Sequence, residues 1–122
     1  NRELAGIFAK LGHTDQIVIA DCGMPIPHGV TCIDLAYELG KPSFKEVLAA
    51  VLADVAVESS VCAQEITCHN ADLWQHLEAL SLNTSQISHE AFKQQTAQAK
   101  VIIRTGEATP YANVILQSGV IF

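Results

Sequence analysis

Residues 16–29 read Gln16-Ile17-Val18-Ile19-Ala20-Asp21-Cys22-Gly23-Met24-Pro25-Ile26-Pro27-His28-Gly29. The opening run is β-branched and apolar at both odd and even positions. A strand shows that pattern when both of its faces are covered, as in a parallel sheet. Two glycines and two prolines then fall within eight residues, so 22–29 must be loop. Asp21 closes the strand at its carboxyl end, the edge where α/β sheets build their sites.

Working outward, Leu4, Ile7, Phe8 and Leu11 recur at helical spacing, with Asn1 as a cap and Gly12 as a stop. Residues 30–34 suggest a second strand. Ser43-Phe44-Lys45-Glu46 has the form of a capping box opening a helix to about residue 54. The stretch 55–66 is apolar and reads as a central strand. Asn70 is expected to cap a helix whose inner face carries Leu73, Trp74, Leu77 and Leu80. A short strand near Gln86 and Ile87 leads to Ser88 as the cap of a helix over 89–99. Strands over 101–104, 113–116 and 120–122 complete the chain. Strands alternating with helices predict a three-layer α/β/α domain, 1–122, around a mostly parallel or mixed central sheet. The expected site loops are 20–29, 66–70 and 104–113.

The 122 residues suffice for one core, with about two-thirds of the unfolded surface buried on folding. At 49% hydrophobic and 16% charged, the composition excludes a disordered chain. The net charge is −6 with only 7 basic residues, which argues against nucleic acid as a partner. No apolar run is long enough to cross a membrane, so no membrane insertion is expected, and no signal peptide is visible. The thin charge set suits a surface partly buried in an oligomer.

No phosphate-binding glycine motif and no Gly-x-Ser-x-Gly elbow occurs. Cys62, Cys68 and His69 do not match a zinc spacing, so no metal is expected. The cysteines are expected to be reduced.

His13 follows Gly12 in a polar turn, where an imidazole can give and take a proton. Asp15, two residues on, is expected to orient the ring. Asp21 accepts sugar hydroxyl hydrogens, acts as a base, or caps the turn before Gly23. His89 follows Ser88 at a helix start, where the dipole favours a neutral ring. Tyr111 and Asn113 would point the same way from extended backbone, a phenol beside a carboxamide suited to a polyhydroxylated ligand.

Several motifs then stand in order along the chain. They are Leu11-Gly12-His13-Thr14-Asp15, Asp21-Cys22-Gly23-Met24-Pro25-Ile26-Pro27, Ile33-Asp34 and Pro42-Ser43-Phe44. His89-Glu90, Phe92-Lys93-Gln94-Gln95-Thr96, Gly106-Glu107 and Pro110-Tyr111-Ala112-Asn113 follow. Over essentially its whole length the sequence resembles the ribose pyranase and fucose mutarotase family. The Pro25-Ile26-Pro27 loop and the His13-Thr14-Asp15 turn resemble the ribose branch, since the fucose branch tends to have Gly between that His and Asp. The family usually carries a few more residues ahead of the first helix.

The resemblance implies a cytoplasmic, cofactor-free isomerase interconverting β-D-ribopyranose and β-D-ribofuranose. It implies a catalytic His13 and sugar binding by Asp21, His89, Tyr111, Ala112 and Asn113. It also implies D-ribose as partner and a homo-oligomer, a ring-based decamer, with sites near subunit boundaries. The alternatives are exchange between anomers of another monosaccharide, a non-catalytic sugar-binding subunit, and a thiol- or metal-dependent enzyme using Cys62, Cys68 and His69.

Overall fold

The computed structural model describes residues 1–119, so the closing strand expected at 120–122 lies outside the described residues. The β-branched run forms β1 (Gln16–Ala20). Ile17, Val18, Ile19 and Ala20 are all fully buried, as a strand covered on both faces requires.

The other strands are β2 (Cys32–Asp34), β3 (Val57–Ala63), β4 (Thr84–Ile87), β5 (Val101–Arg104) and β6 (Val114–Ser118). They form one sheet in the order β2-β5-β1-β6-β3-β4. Strands β2, β5 and β1 are parallel, β3 and β4 are parallel, and β6 runs antiparallel to both β1 and β3. Five strands therefore point one way and the sheet is mixed.

Alternation along β1 sends Ile17 and Ile19 to one face, with Val101, Ile103, Val114 and Leu116. On that face lie α1 (Arg2–Ala9), α2 (Phe44–Asp54) and α4 (Ala71–Ala79). Helix α2 buries Phe44, Val47, Leu48 and Val51, and α4 buries Leu73 and Leu77. Full burial of side chains of this size contributes about 1.5–3 kcal/mol each. Val18, Ala20, Ile102 and Ile115 face the other way and meet Phe92 of α5 (His89–Gln95) and Met24 of the loop after β1. The three layers expected from the sequence are present.

Local signals explain the boundaries. Asn1 caps α1 by accepting from the amides of Glu3 and Leu4. The capping box of Ser43 and Glu46 opens α2. The expected strand over 55–66 is shorter. It ends at Ala63, and Ile66–His69 instead forms the four-residue helix α3, because Gln64 and Glu65 interrupt the apolar run. Helix α5 stops at Gln95 and tightens into a 3-10 turn over Thr96–Gln98. Leu80, expected on the inner face of α4, falls at its C-cap and is 36% exposed.

Gly106 locks the loop after β5 against residues 38–42. Its amide donates to the Pro42 carbonyl at 2.9 Å. A Cβ built there would collide with the backbone of Glu38 and Lys41. Gly106→Ala is therefore expected to lower stability by about 1–3 kcal/mol, measured by urea unfolding.

Candidate active site

The loops that follow β1, β4 and β5 meet at the carboxyl end of the sheet. There they enclose a cavity of about 300 Å³ bounded by Asp21, Met24, His89, Tyr111 and Asn113. A groove of about 320 Å³ between α1 and α2 is mainly apolar, lined by Leu4, Ala5, Phe8 and Val47 among others. The first cavity is the better candidate because several polar groups converge on it.

Its floor is a reciprocal pair. The Asp21 amide donates to Asn113 Oδ1 at 2.7 Å, and Asn113 Nδ2 donates to Asp21 Oδ2 at 3.0 Å. This ties the end of β1 to the start of β6. The Gly23 amide donates to Asp21 Oδ1 at 3.0 Å. Buried Thr105 fixes the neighbouring backbone, its hydroxyl donating to the Ala20 carbonyl at 2.8 Å. Burial pushes the Asp21 carboxyl above its ordinary range. The hydrogen bonds from Asn113, Gly23 and Met24 and the proximity of His89 oppose that rise.

His89 is the first residue of α5. Its amide donates to both carboxylate oxygens of Glu65 at 3.1 Å, which sets the entry of the helix. Its ring stacks on Phe92 with centroids 6.5 Å apart. His89 Nδ1 is buried and has no hydrogen-bond partner among the described residues.

Tyr111 stands edge-on to His89 at 5.0 Å and tilted against His69 at 5.5 Å. Its φ is +56°, a strained conformation for a tyrosine. Tyr111 and Asn113 would point the same way only from extended backbone, and this turn removes it. Asn113 turns instead to Asp21 and Tyr111 to the histidines, although both still border the cavity. Ala112 between them is fully buried.

The Tyr111 turn is held from outside. Asn70 Nδ2 donates to Thr109 Oγ1 at 3.0 Å and to the Pro110 carbonyl at 2.9 Å. Thr109 donates to Glu107 Oε2 at 2.9 Å, and Glu107 Oε1 accepts from the Phe44 amide at 3.0 Å. Asn70 thus tethers the loop and makes no side-chain cap on α4, contrary to expectation.

His13 lies elsewhere. It precedes β1, whereas Asp21 follows it, and the strand between spans about 17 Å at 3.3 Å per residue. His13 Nε2 is 3.1 Å from Glu58 Oε1 and 3.3 Å from Glu58 Oε2. The expectation that Asp15 orients it is corrected. Asp15 Oδ2 accepts from the Gly12 amide at 2.8 Å, and Thr14 at φ +73° turns the chain between the two residues.

The cysteines lie free, with Cys62 buried and its thiol pushed up to about 11 by burial. No cluster of three or more metal-ligating side chains occurs among the described residues. No helix among them is long and apolar enough to cross a membrane. Sequence reasoning missed Glu58 and Glu65 and the tethering roles of Asn70 and Glu107, each of which has a partner 24 to 63 positions away.

The model of the RbsD / FucU transport protein family matches residues 1–121. The chain belongs to this family. A D-ribose pyranase of Bacillus cytotoxicus is 57% identical over 124 residues, covering 100% of this chain and 95% of that protein. A D-ribose pyranase of Exiguobacterium sp. is 56% identical over 122 residues with the same coverage. Bacillus subtilis RbsD complexed with D-ribose matches with TM-score 0.98 at 49% identity, covering 100% of this chain and 95% of that one. The fucose mutarotase of Streptococcus pneumoniae in complex with L-fucose has TM-score 0.83 at 23% identity, over 100% and 94% of the chains, and shares the fold.

Asn113→Ala is expected to destabilise the protein by about 1–3 kcal/mol, because it strips a partly buried backbone amide of its acceptor. It also removes a donor that holds the Asp21 carboxyl down, so that group rises further above 3.8. A raised carboxyl contributes stability below its unfolded pKa and loses it as pH rises through the folded value. The loss in denaturant unfolding should therefore be larger at neutral pH than below 3.8.

Proposed function

We propose that this chain is an isomerase that interconverts β-D-ribopyranose and β-D-ribofuranose by acid–base ring opening and reclosure. The observation that carries the reading is the carboxyl-end cavity, where a carboxylate, a carboxamide, a phenol and an imidazole converge. The names of the D-ribose pyranase relatives and the ribose complex of a 49% identical structure support the sugar.

The reaction asks for proton transfers only. One proton goes to the ring oxygen and another leaves the anomeric hydroxyl. The open aldehyde rotates, and a different hydroxyl closes on the carbonyl carbon. In our reading Asp21 accepts hydroxyl hydrogens with the lone pairs left by Asn113 and Gly23. Asn113 offers its second Nδ2 hydrogen, and His89 offers Nδ1. Tyr111 supplies a flat apolar face and its hydroxyl, and the backbone at Ala112 holds a further hydroxyl. The base at the anomeric hydroxyl is a water activated by His89 or Asp21.

His13 is the acid that protonates the ring oxygen and takes the proton back on closure. It sits beyond β1 from the cavity of its own chain, so the reading requires His13 of one copy to reach the cavity of another. Self-association also suits the composition, and Tyr37 and Leu39 are 75% and 79% exposed on the loop before α2. We propose a ring-based decamer that works in the cytoplasm.

Nuclear magnetic resonance exchange on D-ribose tests this directly. The protein should accelerate pyranose–furanose exchange, and His13→Ala should remove the acceleration by about 10²-fold or more while ribose still binds. A folded His13→Ala protein that matches the unsubstituted rate would end the mechanism. Sedimentation should show an assembly at micromolar concentration, and a monomer there would contradict the two-copy site.

A further inference from the structure

Glu58 occupies an irregular place in the sheet. The register between β3 and β6 shifts between Val57 and Ser59, leaving Glu58 as the extra residue of a bulge. A bulge breaks the strict alternation of side chains and re-aims one of them. Here the carboxylate reaches His13, with both oxygens within 3.3 Å of Nε2. Gln117 Nε2, on the adjacent strand, donates to Glu58 Oε2 at 3.0 Å and fixes the carboxylate from the other side.

The turn carrying His13 is itself fastened to the end of β6. The Thr14 amide donates to the Ser118 carbonyl at 3.0 Å, and the Ser118 amide donates to the Asp15 carbonyl at 2.8 Å. Both partners of the His13–Glu58 pair are thus anchored to one strand end, and the contact bridges 45 positions of sequence.

We infer that Glu58 is the positioning residue of His13, holding the imidazole through Nε2–H and leaving Nδ1 as the nitrogen that exchanges the proton with the sugar. The inference rests on the reading of His13 as the proton-transfer group. A carboxylate on one ring nitrogen selects the tautomer with its lone pair on the other. It also stabilises the imidazolium that forms when that lone pair takes a proton. Glu58 is suited to this because the hydrogen bonds from His13 and then Gln117 hold its carboxyl below the ordinary range, so it is ionised at neutral pH.

The other groups near His13 do not compete. Asp15, on the same turn, is committed to the Gly12 amide. Asp54, from the end of α2, lines the same cavity of about 280 Å³ but makes no hydrogen bond to the ring. The adjoining Phe8 of α1, Leu11 just after it, and Gln117 and Ser118 of β6 are uncharged. As a half-exposed pair, His13 and Glu58 contribute little to stability, so geometry is the reason to hold them together.

The test uses Glu58→Gln, which keeps the shape and removes the charge, and Glu58→Asp, which keeps the charge and shortens the reach. Both are assayed as assembled protein by ribose exchange, as a function of ribose concentration and pH. Glu58→Gln should lower the maximal rate about 10-fold while the half-saturating ribose concentration stays within about twofold. The limb of its pH–rate profile that tracks imidazole protonation should move to lower pH. Glu58→Asp should recover part of the rate and the original limb.

A wild-type rate and profile in Glu58→Gln would overturn the inference, as would a loss confined to the half-saturating concentration. His13→Ala, measured alongside, separates the two levels. If it keeps the full rate, the reading of His13 falls. If it loses the rate while Glu58→Gln does not, only the role of Glu58 falls.

Discussion

The five residues of β1 set the distance on which the proposed chemistry depends. Gln16–Ala20 is buried on both faces and hydrogen-bonded on both edges, to β5 and to β6. A strand held on all four sides cannot bend to bring its ends together. The polar turn before it and the polar loop after it are therefore fixed about 17 Å apart on opposite rims of the sheet. In the proposed mechanism, a proton-transfer histidine on one rim and a polyol-binding cavity on the other act on one sugar only if copies of the chain meet rim to rim.

The two rims are built with different physics. At the carboxyl rim, Thr105 and Asn113 are buried and each is hydrogen-bonded to the chain leaving β1. Unsatisfied groups there would be costly, so the network also specifies the loop conformation. The tether of Asn70, Thr109 and Glu107 holds Tyr111 in a strained left-handed conformation against two histidine rings. At the amino rim, His13 and Glu58 are about half exposed, and their pairing is screened by water. The first rim resembles a preformed pocket. The second resembles a presented group whose direction matters more than its energy.

Much of the fold is legible in the sequence because its signals are local. The β-branched run 16–20, the Ser43–Glu46 capping box and the Asn1 cap act over a few residues and appear where their chemistry places them. The carboxyl-end rule likewise selects the loops holding Asp21, Tyr111 and Asn113. What sequence reading misplaces depends on partners far along the chain. Asp15 is the nearest carboxylate to His13 by number, yet Glu58 holds the ring because a bulge on β3 aims it there. Asn70 looks like a helix cap, yet it tethers the loop at 109–110. Alternation fails at Tyr111 because a positive φ is not written in the residues around it. Only the mutual geometry of the strands decides these cases.

The central claim is that one active site takes His13 from one copy and its cavity from another. Subunit complementation tests it most directly. Folded His13→Ala and Asp21→Asn proteins, each inactive in ribose exchange, would be dissociated, mixed in equal amounts and reassembled. Random mixing pairs an intact His13 with an intact cavity at about a quarter of the sites, so exchange should return to about that fraction. A mixture that reassembles but stays as inactive as its parents would contradict the two-copy site.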